Sequence, residues 1–251
     1  MEAQVDRLVQ KAWTRYQQLP PTQRLMIAVS GIPGSGKSTL AAQIALRLNA
    51  RHHAQASAPT SAVPAPTDDI AIVVPLDGFH LTRAQLSAMP DPVTAHARRG
   101  AAFTFDAPAF LALVRRLRAP LDPAMTSDAV VRAPSFDHAV KDPVADDIAV
   151  PASARVVLLE GNYLSLAAGA PEWRTAAALM DERWFVEVGE EVARKRLVRR
   201  HVKSGVAGSE DEARRRVEEN DLVNGREIVE GMGEVDEVVV TEEEERWRGG
   251  D

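Results

Sequence analysis

Apolar positions along the chain follow two periods, and the alternation between those periods sets the fold class. Val5, Leu8, Val9, Ala12, Trp13, Tyr16 and Leu19 recur at helical spacing. Residues 4–19 therefore predict an amphipathic helix, stopped by Pro20-Pro21. Residues 25–29 form a short continuous apolar run, and residues 40–48 return to a helical pattern. A second apolar run, 70–76, ends in Pro75-Leu76 and leads into Asp77-Gly78. Pro75 has no N–H to give to a ladder, which puts this strand at a sheet edge. Residues 106–118 predict a helix with Phe110, Leu111, Leu113, Val114 and Leu117 on one face. Residues 155–161 and 183–188 predict two further strands, and 190–202 an arginine-rich helix. Residues 209–229 predict one more helix, with Ser209 as N-cap and Glu212 at the capping-box position. Residues 235–240 predict a last strand. Residues 119–151, rich in Pro and Asp, are expected to be irregular. The small-residue, proline-rich stretch 54–67 is expected to be a flexible insertion without chemistry. Strands alternating with helices imply an α/β fold, a doubly wound and mostly parallel sheet. One domain over residues 1–251 is expected, with a helical lid and its following helix over 190–226.

The first strand is followed by Gly31-Ile32-Pro33-Gly34-Ser35-Gly36-Lys37-Ser38 and then Thr39. This is a complete G-x-x-x-x-G-K-[ST] loop in the strand–loop–helix context that the motif requires. Glycines let successive N–H groups turn toward a polyphosphate, and the helix N-terminus adds partial positive charge. Gly31, Pro33, Gly34, Ser35, Gly36, Lys37, Ser38 and Thr39 are therefore expected to bind the nucleotide. Lys37 would reach the β- and γ-phosphates, and the Ser38 hydroxyl would ligate Mg²⁺.

In an open α/β sheet, ligands bind beyond the carboxyl ends of the strands. Two predicted strands end there in acids, Asp77 and Glu160. Phosphoryl transfer to a hydroxyl needs Mg²⁺, cations over the phosphates and a carboxylate to take the hydroxyl proton. Asp77 is the candidate base, with a place near the metal. Glu160 is the candidate carboxylate on the Mg²⁺ side. Either could instead be a helix cap or a solvated loop acid. Arg196 and Arg200 lie four apart on one helix face, with Arg194 and Arg199 nearby. They read as lid cations for the transferring phosphate, against the alternative of a solvated basic face.

Composition narrows the classes. The 251 residues contain no cysteine, which excludes disulfides and thiol catalysis and fits a reducing compartment. The net charge of −6 argues against broad nucleic-acid binding. No apolar run approaches the ~20 residues of a spanning helix, so no membrane partner is expected. The first residues lack the basic start and apolar core of a signal peptide, and a cytoplasmic location is expected. A monomer or homodimer is expected.

Several segments carry a resemblance: Leu76-Asp77-Gly78-Phe79-His80-Leu81-Thr82, Arg98-Arg99-Gly100-Ala101-Ala102-Phe103-Thr104-Phe105-Asp106, Pro134-Ser135-Phe136-Asp137-His138 and Leu159-Glu160-Gly161-Asn162-Tyr163. With the phosphate loop, they resemble the uridine kinase, phosphoribulokinase and bacterial-type pantothenate kinase superfamily, and within it a uridine kinase-like or fructose-transport kinase-like branch. The resemblance implies a sheet in the order 2-3-1-4-5 and Asp77 as base. It implies that Phe79, His80, Arg99, Phe105, Asp137, His138 and Tyr163 line the acceptor pocket. Arg196 and Arg200 look like the lid arginines, and Asn220 and Asn224 would approach the nucleotide. Phe136 replaces a common tyrosine, Ser204-Gly205 replaces an Arg-Gly pair, and the tract around Phe105 lacks a histidine; all three count against uridine itself. His80 and His138 could equally be structural hydrogen-bonders, and Phe79, Phe105 and Tyr163 core aromatics.

The expected function is an ATP-dependent kinase acting on a hydroxyl of a small metabolite, with ATP and Mg²⁺ as cofactors. The alternative is an ATP-hydrolysing switch or assembly factor without such an acceptor. The chain has no Asn-Lys-x-Asp guanine reader, no Leu-Ser-Gly-Gly-Gln signature and no H-R-D catalytic loop.

Overall fold

The computed structural model describes residues 1–56, 68–121 and 130–242. β1 (Leu25–Gly31) is buried at all seven positions and forms the centre of the sheet. It pairs in parallel with β5 (Val156–Glu160) on one side and β6 (Glu182–Val188) on the other. β2 (Ala71–Pro75) lies outside β5, and β7 (Glu237–Thr241) outside β6. Numbered among themselves, the five strands run 2-3-1-4-5, with the Pro75 strand at an edge.

The two-residue period of β1 divides the core. Leu25, Ile27 and Val29 face α1 (Glu2–Gln18) and α2 (Lys37–Ala56), against Leu8, Trp13, Leu40 and Ile44. Met26 and Ala28 face α5 (Ala107–Arg118) and α6 (Pro171–Ala178), against Phe110, Val114 and Trp173. At the far edge, the Gln4 side-chain amide donates to the Val240 carbonyl at 3.0 Å and accepts from its N–H at 3.2 Å. Lys11 meanwhile joins Glu182 and Glu237. The first helix thus closes a strand edge that would otherwise offer unpaired backbone.

Three expectations change. Within residues 119–151, β3 (Val131–Asp137) and β4 (Asp142–Val150) form an antiparallel hairpin beside the main sheet. A two-stranded ribbon has only edge strands, so Pro134 and Pro143 do not obstruct it. The stretch expected as a loop from 54 instead continues α2 to Ala56; residues 57–67, and 122–129 of the irregular stretch, lie outside the described residues. The helix expected over 209–229 is three pieces: α8 (Glu210–Arg216), a π-helical turn (Val217–Asp221) and α9 (Leu222–Glu230). Ser209 caps α8 by accepting from the Glu212 N–H at 3.2 Å. The Glu212 carboxylate, however, takes the Gly208 N–H at 2.8 Å, so the reciprocal half of the box is absent.

Candidate active site

The phosphate loop joins β1 to α2. Gly34 and Gly36 adopt φ of 79° and 91°, a region open to glycine and strained for other residues. A Cβ on Gly34 would stand 3.0 Å from the Ala193 carbonyl and 3.1 Å from Leu197 Cγ. α7 (Glu190–Lys203) therefore rests directly on the loop. Between them is a cavity of about 230 Å³, lined by Gly34, Gly36, Lys37, Ser38, Thr39, Arg196, Leu197 and Arg200. Gly31, Pro33 and Ser35 are buried behind it and build the loop's frame.

Glu160, the last residue of β5, is 7% exposed and in register with Val29 of β1 and Pro75 of β2. Burial pushes its carboxyl above the usual range, Lys37 opposes this, Asp77 adds to it, and the Ser38 hydroxyl hydrogen-bonds the carboxylate. Lys37 is the counterpart. Burial lowers its ammonium, Glu160 and Asp77 raise it, and Arg200 lowers it again. Lys37, Ser38, Asp77, Glu160 and Arg200 thus form one electrostatic cluster at the carboxyl ends of β1, β2 and β5.

Asp77 sits in a 3-10 turn (Leu76–Phe79) after β2, its side chain 54% exposed among buried neighbours. Its carbonyl accepts from the His80 N–H at 3.1 Å and lies 2.9 Å from His80 Nδ1. A carbonyl only accepts, so Nδ1 carries the proton and Nε2 is left a bare acceptor. Burial holds this imidazole below its ordinary pKa, against the pull of Asp77. The His80 ring lies between Phe105, at 4.0 Å between centroids, and Phe136, at 5.0 Å. His138 is exposed at the edge of Phe136.

Other candidates take structural positions. Tyr163 is 1% exposed and its hydroxyl donates to the Gly100 carbonyl at 2.7 Å; burial raises its phenol further. Phe79 meets Phe110 edge-on at 5.3 Å, and both belong to the core with Phe105 and Tyr163. Phe79 also walls a separate cavity of about 360 Å³ between α5 and the hairpin, whose lining does not include Asp77. Arg99 donates to the carbonyls of Lys141 (2.6 Å) and Leu81 (2.9 Å) and to Asp142 (3.2 Å), which pins the hairpin. Asp137 accepts from the N–H groups of Ala139 and Val140 and shapes the hairpin turn. Arg196 reaches the Gly34 carbonyl at 3.1 Å and the Glu242 carbonyl at 2.7 Å, stitching α7 to the loop and to the end of β7.

Asn220 and Asn224 are buried and turn toward Arg98 rather than into the phosphate cavity. Asn220 Oδ1 accepts from Arg98 Nε at 3.2 Å, and Asn224 Oδ1 from Arg98 Nη2 at 2.8 Å. Their amide nitrogens donate within the same cluster, Asn220 Nδ2 to the Arg99 carbonyl at 3.0 Å and Asn224 Nδ2 to Asn220 Oδ1 at 3.3 Å, and neither residue lines the phosphate cavity. Sequence reading had not singled out Arg98, nor His201 and Asp221, which meet at 2.8 Å. Their partners are distant in the chain, so no local spacing marks them.

No family model matches the chain. The ATP-dependent kinase-like protein of Aspergillus versicolor is 53% identical over 164 residues, 65% of this chain and 92% of that protein. A Schizosaccharomyces pombe protein named provisionally as a uridine kinase is 40% identical over 202 residues, 80% of this chain and 77% of its own. The chain belongs to the uridine kinase-like P-loop kinases. A solved structure from Silicibacter sp. TM1040, named provisionally as a fructose transport system kinase, matches with a TM-score of 0.71. It is 33% identical, over 92% of this chain and 98% of that one.

A kinase of this family uses ATP, and the site suits its triphosphate: a glycine loop, one lysine and two arginines around a single cavity. Hard oxygen donors, the Ser38 hydroxyl and the Glu160 carboxylate, suit Mg²⁺. Among the described residues no group of three His, Cys, Asp or Glu could hold a metal alone. The remaining ligands would come from phosphate oxygens and water, as is usual for Mg²⁺.

Proposed function

We propose that this kinase moves the γ-phosphoryl group of ATP to a hydroxyl of a small metabolite: a nucleoside, a sugar or a vitamin precursor. The observation that carries the reading is the cluster of Lys37, Ser38, Glu160 and Asp77, in which one carboxylate is buried beside the loop and the other opens to solvent. Mg²⁺, held by Ser38 and Glu160, would neutralise charge on the phosphate oxygens. Lys37 and Arg200 supply positive charge over the same oxygens. Asp77, more exposed than Glu160, accepts the proton of the incoming hydroxyl. His80, neutral and with Nε2 free of a proton, offers an acceptor to a second hydroxyl of the same molecule. Arg196 holds α7 down on the loop and serves position more than charge.

Residues 190–226 then act as a lid and its following helix on a single catalytic domain spanning 1–251. Among the described residues no helix is long and apolar enough to cross a membrane. The lack of cysteine supports a reducing, cytoplasmic setting.

The deciding experiment is ADP release from purified protein across a panel of nucleosides, sugars, sugar acids and vitamin precursors, with mass spectrometry of the products. Many-fold stimulation by one hydroxyl compound, with a product 80 Da heavier (the mass of HPO₃, about 80 Da, from the transferred group), supports the kinase. Stimulation by a protein partner alone, with no phosphorylated small product, favours an ATP-driven switch instead.

A further inference from the structure

Two adjacent residues of the π-helical turn hold two different parts of the site. The Asp221 carboxylate meets His201 Nε2 of α7 at 2.8 Å, with side chains only 12% and 7% exposed. Asn220, one residue earlier, donates from Nδ2 to the Arg99 carbonyl at 3.0 Å and accepts from Arg98 Nε at 3.2 Å. Asn224 and Glu227 receive Arg98 Nη2 at 2.8 and 3.1 Å, and Asn224 donates back to Asn220 at 3.3 Å. Neighbouring residues on a helical turn point to different sides of it. The same short turn can therefore grip α7 on one side and residues 98–99 on the other.

What lies beyond each grip belongs to the active site. α7 carries Arg196 and Arg200 over the phosphate cavity. Segment 98–100 is tied to Tyr163 through Gly100 and leads to Phe105, which stacks on His80 beside Asp77. A π-turn inside a helix is rare and concentrates at functional sites, where it sets side-chain directions that a regular helix would not.

We infer that Asp221, with Asn220 beside it, positions the phosphate side and the acceptor side of the site against each other. Movement of α7 onto a nucleotide is carried through His201–Asp221 into the turn, and through Asn220–Arg98 into residues 98–105. Arg98, His201, Asn220 and Asp221 are positioning residues, and none of them lines the phosphate cavity. A buried hydrogen bond to a carboxylate suits this task, because breaking it leaves an Asp221 oxygen unpaired away from water. The inference rests on the kinase reading, since it requires α7 to respond to nucleotide.

Hydrogen–deuterium exchange of the full chain, with and without Mg²⁺ and a non-hydrolysable ATP analogue, tests it. In the wild-type protein the analogue slows exchange over 31–39, 190–203 and 98–105. In Asp221→Ala, and separately in Arg98→Lys, protection over 31–39 and 190–203 persists while 98–105 no longer responds. His201→Ala loses the same response, and His201→Gln, which keeps a donor, restores it. The inference is overturned if 98–105 responds in these variants as in the wild type, or if wild-type 98–105 stays unchanged while 190–203 is protected. Should Asp221→Ala fail to fold, Arg98→Lys decides, because its guanidinium is at the rim and 27% exposed. No protection anywhere, including 31–39, is a different result: it removes the kinase reading itself.

Discussion

Glu160 at the end of β5 and Pro75 at the end of β2 are register partners in the sheet. Asp77 follows Pro75 by two residues, so both acids emerge on the carboxyl edge where Lys37 also lies. Only one of them is buried. The proposed division of roles, a metal-side carboxylate at Glu160 and a proton acceptor at Asp77, rests on that difference in environment between two side chains of the same chemistry.

Asp77→Asn should keep ATP affinity and lose turnover. General-base removal costs roughly 10²–10⁴ in rate. Comparing kcat with the dissociation constant of a fluorescent ATP analogue checks this, and an unchanged kcat with the true acceptor would remove Asp77 from the base role.

The two lid arginines should behave differently. Arg196 holds the Gly34 carbonyl of the loop and the Glu242 carbonyl just past β7, so Arg196→Ala should lower Tm and weaken ATP binding. Arg200 lines the cavity and acts on Lys37 and Glu160 through charge. Arg200→Ala should leave Tm close to wild type while kcat drops by about 10²–10³, the cost typical of one lost electrostatic stabiliser.

Gly78 should not tolerate a side chain. A Cβ there would sit 2.1 Å from the Pro134 carbonyl, so the hairpin would have to lift off the 3-10 turn. Gly78→Ala should destabilise by about 1–3 kcal/mol, as overpacking does. It should also speed proteolytic cleavage within the hairpin, read by limited proteolysis beside a thermal melt.

Stability should fall on mild acidification, and His80 should contribute. Burial holds its folded pKa below the unfolded value of 6.5. The unfolded chain then binds more protons as pH drops below 6.5, so the contribution is complete above that value and is lost on descending through it. His52, lowered for the same leading reason, adds the same sign. Tm measured from pH 7.5 to 5 should decline less steeply in His80→Gln than in the wild type, and identical slopes would contradict the assignment.

Much of this molecule was legible as text because the relevant physics is local. The Gly34 and Gly36 conformations, the strand before them and the helix after them depend on neighbouring residues. The missing N–H of Pro75 sends β2 to an edge whatever it packs against. The alternation of strand and helix periods therefore carries the doubly wound sheet, and the acids at the end of β5 and just past β2 mark its carboxyl edge. The hairpin was not legible, because Pro134 and Pro143 read as breakers until the ribbon's two open edges are seen to accept them. Nor was the use of Tyr163, Asp137, Asn220 and Asn224, whose residue types suit a ligand as well as a hydrogen-bond partner within the fold.

The amino-acid order by itself determined the phosphate loop, the sheet it opens and the acids at its carboxyl edge, since short-range backbone chemistry decides each. Only the tertiary structure decided which polar groups face the opening and which are already satisfied. Arg98 meets Asn220 across 122 residues of chain and His201 meets Asp221 across 20. Burial and hydrogen bonding at such separations arise from the fold as a whole, and no local pattern encodes them.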